Sequence, residues 1–396
     1  MAQATCSGKV VETGTAKPVV SASVFIGNSS TGTVTDEGGN FILRKVPAGK
    51  FTLVVSSIGY ETFAKQVESS KMPEQITIEL VRKTASLGEV VVSPAEKNGW
   101  INWGDLFVEN FIGKSAYARE CHIKNPTVLR FRMNVKDNTL KVWSDEPLII
   151  DNYALGYSLS YDLHEFTYSF SDHSVSYSGY PLFTAINSKD KKTETKIKQN
   201  RKSVYAISLM HFIRSLYRNT TTEEGFRIVR TINKLQVDLR KTATVIPEYN
   251  GVENYDTIYE ISNRETLVKI VPVQNSQIKN NDQNATDQLS IGSIISGEEE
   301  NRSLYFADTL QVEYTKTKTP SEYQRYEENN RGTILSAISL VQHRPVILFA
   351  NGSYFAGTDL SLGGFWAWWE KIAIMLPYDY EPEDIPATDV KRTGGN

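Results

Sequence analysis

The stretch Gly32-Thr-Val-Thr-Asp-Glu-Gly-Gly-Asn-Phe-Ile-Leu-Arg-Lys-Val-Pro-Ala-Gly-Lys-Phe-Thr-Leu-Val-Val-Ser-Ser-Ile-Gly-Tyr60 decides the fold of the first part of the chain. Short apolar runs at residues 41–43 and 51–57 stand between turn signals at Asp36-Glu-Gly-Gly-Asn40, Val46-Pro-Ala-Gly49 and Gly59-Tyr60. Short strands punctuated this often indicate a β-sandwich or barrel. Gly38, Gly39 and Gly49 are expected to supply positive φ, where a Cβ would clash. Outward from this stretch, residues 9–11, 23–27, 33–34 and 74–80 read as the remaining strands. Residues 5–80 are therefore expected to form an all-β module that binds or positions something and catalyses nothing.

Composition bounds the rest. The chain has 396 residues, 40% hydrophobic and 22% charged, which is ordinary globular usage. Its length suggests two or three domains at about 150 residues each. Twenty Tyr and 16 Phe favour pleated, half-buried surfaces and hence β structure. A net charge of −3 gives no field that would suggest nucleic acid. No apolar run approaches the roughly 20 residues of a membrane-spanning helix. The start, Met-Ala-Gln-Ala-Thr-Cys6, lacks a basic and an apolar region, so the chain is either cytosolic or begins after a removed leader. Cys6 and Cys121 are expected to be free thiols rather than an inter-domain bridge.

Residues 81–99 read as a connector, in which Val90-Val91-Val92 could add a strand to a sheet edge. Residues 100–113 place Trp103, Leu106, Phe107, Phe111 and Ile112 at helical spacing. Residues 127–135, 140–143 and 147–151 read as strands. Residues 153–170 alternate almost strictly, with Tyr157, Leu159, Tyr161 and Leu163 on one face. Residues 187–202 form a basic stretch, expected as a solvated loop before a helix at 205–217. Residues 226–229, 235–239, 304–307, 310–314, 334–341 and 346–350 read as further strands, and 274–300 as a long mobile loop. Residues 363–376 read as a C-terminal helix, stopped by Pro377, Pro382 and Pro386.

Gly8-Lys-Val-Val11, Pro18, Ala22-Ser-Val24, Thr35-Asp-Glu-Gly-Gly-Asn-Phe41, Val46-Pro-Ala-Gly49 and Ser57-Ile-Gly-Tyr60 together resemble the carboxypeptidase-regulatory-like domain. The resemblance implies a seven-stranded, transthyretin-like β-sandwich. The same module precedes the plug of TonB-dependent receptors of the starch-utilisation type, and Leu87-Gly-Glu-Val-Val-Val92 is similar to the segment that follows it there. No plug or barrel sequence follows here, so receptor activity is not implied. The remainder resembles the cell-envelope proteins known as carboxypeptidase-like regulatory domain-containing proteins. The residues that carry this are Phe111-Ile-Gly113, Cys121-His-Ile-Lys-Asn-Pro126, Glu146-Pro-Leu148, Leu155-Gly-Tyr157, Tyr177-Ser-Gly-Tyr-Pro-Leu-Phe183, His211-Phe-Ile-Arg-Ser-Leu-Tyr217, Glu224-Gly-Phe226 and Leu376-Pro-Tyr-Asp-Tyr-Glu-Pro382. It implies export and association with the outer membrane or periplasm, and no activity. In such names carboxypeptidase refers to the accessory domain, not to a peptidase.

Sequence patterns for catalysis are incomplete. The five His are His122, His164, His173, His211 and His343. His164-Glu165 begins like a zinc-hydrolase motif but lacks the second His. Gly113-Lys-Ser115 has Val108 where a phosphate-binding loop needs Gly. Gly156-Tyr-Ser158-Leu-Ser160 fails the nucleophile-elbow pattern. Cys121 and His122, neighbours on a strand, point to opposite faces. Asp36, Glu37 and Asn40 read as a turn before a calcium site. Three Trp in four residues, Trp366, Trp368 and Trp369, exceed what one helix face can bury. Two are expected in the core, with the third covering a neighbour, meeting a membrane interface or stacking on a sugar. These three, with Tyr180, His211 and Arg214 from the resembling motifs, are the candidate binding residues. No catalytic residue, metal ligand or cofactor is expected.

The expected architecture is mainly β: a sandwich at 5–82, a linker at 83–99, a larger β-rich α+β domain with few helices at 100–386, and a tail at 387–396. The expected role is a non-catalytic binding or assembly module of the bacterial cell envelope, accessory to outer-membrane machinery, with a periplasmic or outer-membrane protein partner. A carbohydrate- or peptidoglycan-binding protein is the alternative. A hydrolase with a dispersed site around His164, His173 or His211 comes third.

Overall fold

The computed structural model describes residues 4–83, 95–231, 267–270 and 291–382, apart from residues 48, 74, 189, 299–301, 308, 327–331, 342–343 and 356–359. The expected Val90–Val92 strand, the strand at 235–239, His343, most of the expected loop at 274–300 and the tail lie outside the described residues.

The N-terminal part is a seven-stranded sandwich. Its strands are β1 (Ala4–Glu12), β2 (Ser23–Ile26), β3 (Gly32–Val34), β4 (Asn40–Val46), β5 (Lys50–Ser56), β6 (Phe63–Glu68) and β7 (Gln75–Leu80). One sheet has the order β4-β1-β7, with β1 and β7 parallel; the other has the order β3-β2-β5-β6. Alternation explains the stacking: Phe41 and Leu43 point inward from β4, and Phe51, Leu53 and Val55 from β5. They close on Val10, Val24, Ile78 and Leu80 in a core of their own. The turn before β4 is an Asx turn, in which Asp36 Oδ1 accepts from the backbone N–H of Gly38 at 2.9 Å and of Asn40 at 2.7 Å. Gly39 there has φ +75°, and a Cβ would come 2.5 Å from the Val10 carbonyl oxygen. Gly49 also has positive φ, but Gly38 does not, because the Asx turn needs only one left-handed residue.

The larger part is built on an eleven-stranded mixed sheet. Its strands are β8 (Cys121–Ile123), β9 (Leu129–Asn134), β10 (Thr139–Ser144), β11 (Leu148–Asn152), β12 (Tyr157–Ser169), β13 (Val175–Ala185), β14 (Phe226–Thr231), β15 (Leu267–Ile270), β18 (Thr309–Tyr314), β19 (Ile334–Leu340) and β22 (Leu360–Gly364). A small second sheet joins β16 (Ile295–Ser296), β17 (Ser303–Leu304), β20 (Val346–Leu348) and β21 (Tyr354–Phe355). The long strand β12 pairs with β13 over its whole length and with both β10 and β11 on its other edge. A register shift between Leu163 and Glu165 places His164 at a bulge. The expected alternation holds: Tyr157, Leu159, Tyr161 and Leu163 are all buried. Helix α1 (Gly99–Phe111) lays Phe107 and Phe111 on this face, edge-on to Phe166, Tyr161 and Tyr177.

The other helices are α2 (Lys191–Ala206), α3 (Leu209–Arg218), α4 (Thr221–Glu224), α5 (Ser321–Tyr326) and α6 (Phe365–Trp369). Two expectations are corrected here. The basic stretch is not a loop. Asp190 caps α2 by accepting from Lys192 and Thr193 N–H groups, and Ile197, Val204 and Tyr205 bury one side of the helix. The expected helix at 363–376 is instead the end of β22, the single turn α6 and a 3-10 turn at Ile372–Ile374. Gly364 turns the chain at φ +59°, where a Cβ would meet the Leu335 carbonyl oxygen at 2.7 Å.

The sandwich is fixed to the larger part by its β2–β3 turn. Asn28 N–H donates to the Pro181 carbonyl at 2.9 Å, Phe183 N–H donates to the Ser29 carbonyl at 2.9 Å, and Tyr378 N–H donates to the Asn28 carbonyl at 2.7 Å. Ser30 N–H donates to Asp379 Oδ1 at 2.9 Å. The turn is thus held by β13 on one side and the C-terminal segment on the other. Phe25 and Val54, on the outer face of the sandwich, pack with Tyr180 in a third apolar cluster. Gly32 allows this approach, since an added Cβ would lie 2.9 Å from Leu182.

Candidate functional site

Where the β2–β3 turn enters the larger part, two adjoining spaces form. The outer one is a cleft of about 300 Å³ between the two parts, with Lys45, Lys50 and Phe51 on the sandwich side and Asn351, Asp379 and Glu381 opposite. The inner one is a chamber of about 110 Å³ behind it, lined by Tyr161, Tyr177, Tyr354, Tyr378, Leu209 and Glu370. Asn28, Tyr354 and Tyr378 line both, so the two spaces adjoin. Concave, mostly apolar spaces with a few convergent polar groups are where ligands bind.

Glu370 follows directly on α6, and its carboxylate turns to the start of α3. Leu209 N–H donates to Glu370 Oε1 at 2.7 Å, which satisfies one of the open N–H groups at that helix end. Tyr177 Oη donates to the Glu370 carbonyl at 3.2 Å. No cation pairs with the carboxyl among the described residues. Burial therefore pushes its pKa up to about 7, against the opposing pull of the Leu209 N–H. Burial also raises the phenols of Tyr161, Tyr177, Tyr354 and Tyr378 well above their usual range, so all four stay protonated at neutral pH. Lys371 also lines the chamber; its Cβ and Cγ lie against Gly113, and burial followed by the charge of Lys114 lowers its pKa to about 7.

The sequence did not single out Glu370. A lone acid at the end of an aromatic run reads as solvated, and its neighbours come from five distant segments. The one available signal was Trp-Glu-Lys inside an apolar stretch, two charges with no polar face to occupy.

All six candidate binding residues are buried, and they fall into three groups. Trp366 sits against Phe212, and its Nε1 donates to the Ile207 carbonyl at 2.9 Å. Trp368 is covered by Tyr323, and Trp369 lies between Phe365 and Tyr117. All three are buried, so of the expected roles for the third ring the structure shows packing on a neighbour, Trp368 on Tyr323. The Nε1 groups of Trp368 and Trp369 have no hydrogen-bond partner among the described residues.

Tyr180 belongs to the joint with the sandwich and meets His164 edge-on. Beneath it, Thr62 of the sandwich donates to Asp162 Oδ2, the same oxygen that His164 Nε2 approaches at 3.4 Å.

His211 and Arg214 lie on α3. His211 has an acceptor at each ring nitrogen, the Ala206 carbonyl at 2.8 Å and Glu224 Oε2 at 2.6 Å. Arg214, 1% exposed, donates to the carbonyls of Asn351, Tyr378 and Tyr380 and lies 3.6 Å from Glu381. It ties the C-terminal segment to α3 and so holds the chamber wall in place.

His164, His173 and His211 do not converge. No group of three or more His, Cys, Asp or Glu able to hold a metal ion occurs among the described residues. Both cysteines are free thiols, raised by burial, Cys121 to about 12. No helix among the described residues is long and apolar enough to cross a membrane.

No curated protein matches the chain. Among solved structures, it is similar to a chain of a type II cohesin–X-dockerin complex from Acetivibrio cellulolyticus, at 21% identity over 28% of this chain and 76% of that one, with a TM-score of 0.17. It is also similar to a protein of unknown function from Bacteroides fragilis, described as membrane-associated, at 12% identity over 46% of this chain and 98% of that one, with a TM-score of 0.16. Superpositions of that quality do not define a shared fold. The N-terminal module is different: residues 6–92 match the family model of the CarboxypepD_reg-like domain, and the sandwich of this chain is a member of that domain family.

Proposed function

We propose that this protein is a non-catalytic binding module of the bacterial cell envelope, in which the CarboxypepD_reg-like sandwich forms one wall of a ligand cleft. The observation that carries the reading is the grip on the β2–β3 turn. Backbone hydrogen bonds between Asn28 and Ser29 on one side and Pro181, Phe183 and Tyr378 on the other make the sandwich part of the cleft rather than a tethered accessory. Pre-formed clefts avoid the ordering cost of binding. The envelope location and an outer-membrane or periplasmic partner rest on the family resemblance of the sequence. The carbohydrate- or peptidoglycan-binding alternative drew on the Trp cluster and the many Tyr, and all three Trp rings of the cluster are buried.

Two experiments test this. Fractionation of a producing bacterium should place the protein with the envelope. Photo-crosslinkers at Lys45 and Lys50 should then capture one envelope component that crosslinkers outside the cleft, at the exposed Lys17 or Glu37, do not. Cytosolic recovery of the full-length protein would overturn the location. Turnover of peptide, ester or glycoside substrates that disappears in His211→Ala would favour the hydrolase reading.

A further inference from the structure

We propose that the chamber behind the cleft receives a primary ammonium group, carried in on an extended stem, with Glu370 as its counter-ion. This rests on the cleft-binding reading and names the ligand class.

The first argument is charge. A half-buried carboxylate in a mostly apolar setting costs free energy unless it is paired. Glu370 has a single protein donor, Leu209 N–H on Oε1, and no ion pair among the described residues. The nearby cations do not supply one. Arg214 donates to three carbonyls through Nε and Nη2, and its Nη1 lies 3.6 Å from Glu381. Lys371 turns its stem to Gly113, and the charge it feels is that of Lys114. An incoming cation completes the site, whereas an incoming anion would face an unneutralised carboxylate.

The second argument is the donor and acceptor inventory. An ammonium has three donors and no acceptor. The chamber offers Glu370 Oε2, together with the phenols of Tyr161, Tyr354 and Tyr378, whose oxygens accept and whose rings attract cations. The third argument is size. About 110 Å³ holds a head group of a few heavy atoms, while the stem occupies the 300 Å³ cleft. The cleft carries both signs of charge, Lys45 and Lys50 facing Asp379 and Glu381, which suits the backbone and neighbours of a lysine side chain as well as a free diamine.

The groups around Glu370 also set a pH dependence. Its own carboxyl ionises around pH 7, and Lys371 sheds its charge over the same range. The tyrosines, raised by burial, stay neutral. Both changes favour cation binding as pH rises.

The test is calorimetric titration of the full chain at pH 6, 7 and 8 with cadaverine, with Nα-acetyl-lysine N-methylamide and with 1-pentanol as the neutral control. Both amines should bind, and 1-pentanol should not. Affinity should rise by about tenfold from pH 6 to pH 8, as expected for a carboxyl titrating midway between. Glu370→Gln keeps an acceptor for Leu209 N–H and should weaken amine binding by at least about tenfold. Should that variant not fold, the pH profile of the unaltered chain decides. A stronger lysine derivative points to a protein partner, and stronger cadaverine to a free diamine.

Absence of saturable amine binding, pH-independent binding, or equal affinity in a folded Glu370→Gln would overturn the proposal. Envelope crosslinking without amine binding would overturn this inference alone. Amine binding by a protein recovered from the cytosol would overturn only the envelope location.

Discussion

Two half-buried carboxylates flank helix α3, and their surroundings are opposite. Glu224 lies beyond the C-terminus of the helix and is surrounded by donors. His211 Nε2 approaches Oε2 at 2.6 Å, Arg218 donates to both oxygens at 3.0 Å, and Thr220 Oγ1 donates as well. Burial pushes its pKa up, but these hydrogen bonds and the Arg218 charge outweigh it and hold the carboxyl at about 2. Glu370, at the N-terminus, has one backbone N–H and is driven the other way, to about 7. Burial acts in the same direction on both. Partners decide the outcome, and where they are missing the protein carries an electrostatic cost that structure alone does not require. Glu224 is a completed structural joint. Glu370 is an open one, and it faces a chamber.

The comparison breaks most completely if the tie that holds the chamber wall is cut. Arg214→Ala should destabilise the protein by about 4 kcal/mol, since it leaves the carbonyls of Asn351, Tyr378 and Tyr380 without their donor. Hydrogen exchange should show residues 378–381 losing protection first, and unchanged protection there would mean that the segment is held by other contacts.

Glu224→Gln should lower stability by about 3 kcal/mol at pH 7, in urea melts, by stranding His211 and Arg218. The folded pKa of Glu224 is depressed, so its contribution is fully present above about pH 4.5 and is lost as pH falls through about 2. The gap between wild type and variant should narrow over that window, and a constant gap would assign the loss to packing.

Glu370→Gln should do the reverse. The raised folded pKa means that the wild-type chain loses stability as pH rises from about 4.5 through about 7. The variant should be about 2 kcal/mol more stable at pH 8, allowing for a weaker bond from Leu209, and near equal at pH 4.5. A variant less stable at every pH would show that Glu370 serves α3 as a cap and nothing more.

The smallest effect belongs to a third carboxylate, Asp162 at the joint with the sandwich. Removing its Thr62 donor in Thr62→Val should cost about 1 kcal/mol, measured as faster exchange of the amides at the joint, with both cores unchanged.

The sandwich was legible because its information is local. Asp36, Gly39, Asn40 and Gly49 set turns, and the alternation of Phe41, Leu43, Phe51 and Leu53 assigns faces with a period of two. The same holds for β12, where Tyr157 to Leu163 alternate as read. The C-terminal segment was misread for a physical reason. Residues 363–376 carry apolar side chains in every direction, and a helix pattern cannot be told from a chain buried on all sides. The segment gives a strand end and two short turns because Gly364 turns it at positive φ and Phe212, Tyr323 and Tyr117 cover the three Trp separately. The basic stretch at 187–202 was misread although its signal was present: Asp190 stands ahead of a run of good helix formers with Ile197 and Val204 on one side.

The sequence by itself determined the seven-stranded sandwich, its membership of the CarboxypepD_reg-like family and the β-rich character of the rest, since turn chemistry and short-period patterning act between residues close in the chain. Only the tertiary structure decided that the sandwich is gripped by its β2–β3 turn, that the Trp cluster is buried, and that Glu370 meets Leu209 at the floor of a tyrosine-lined chamber. Those outcomes depend on segments far apart in the chain, Leu209 and Glu370 by 161 residues, and on which charge finds a partner after they meet.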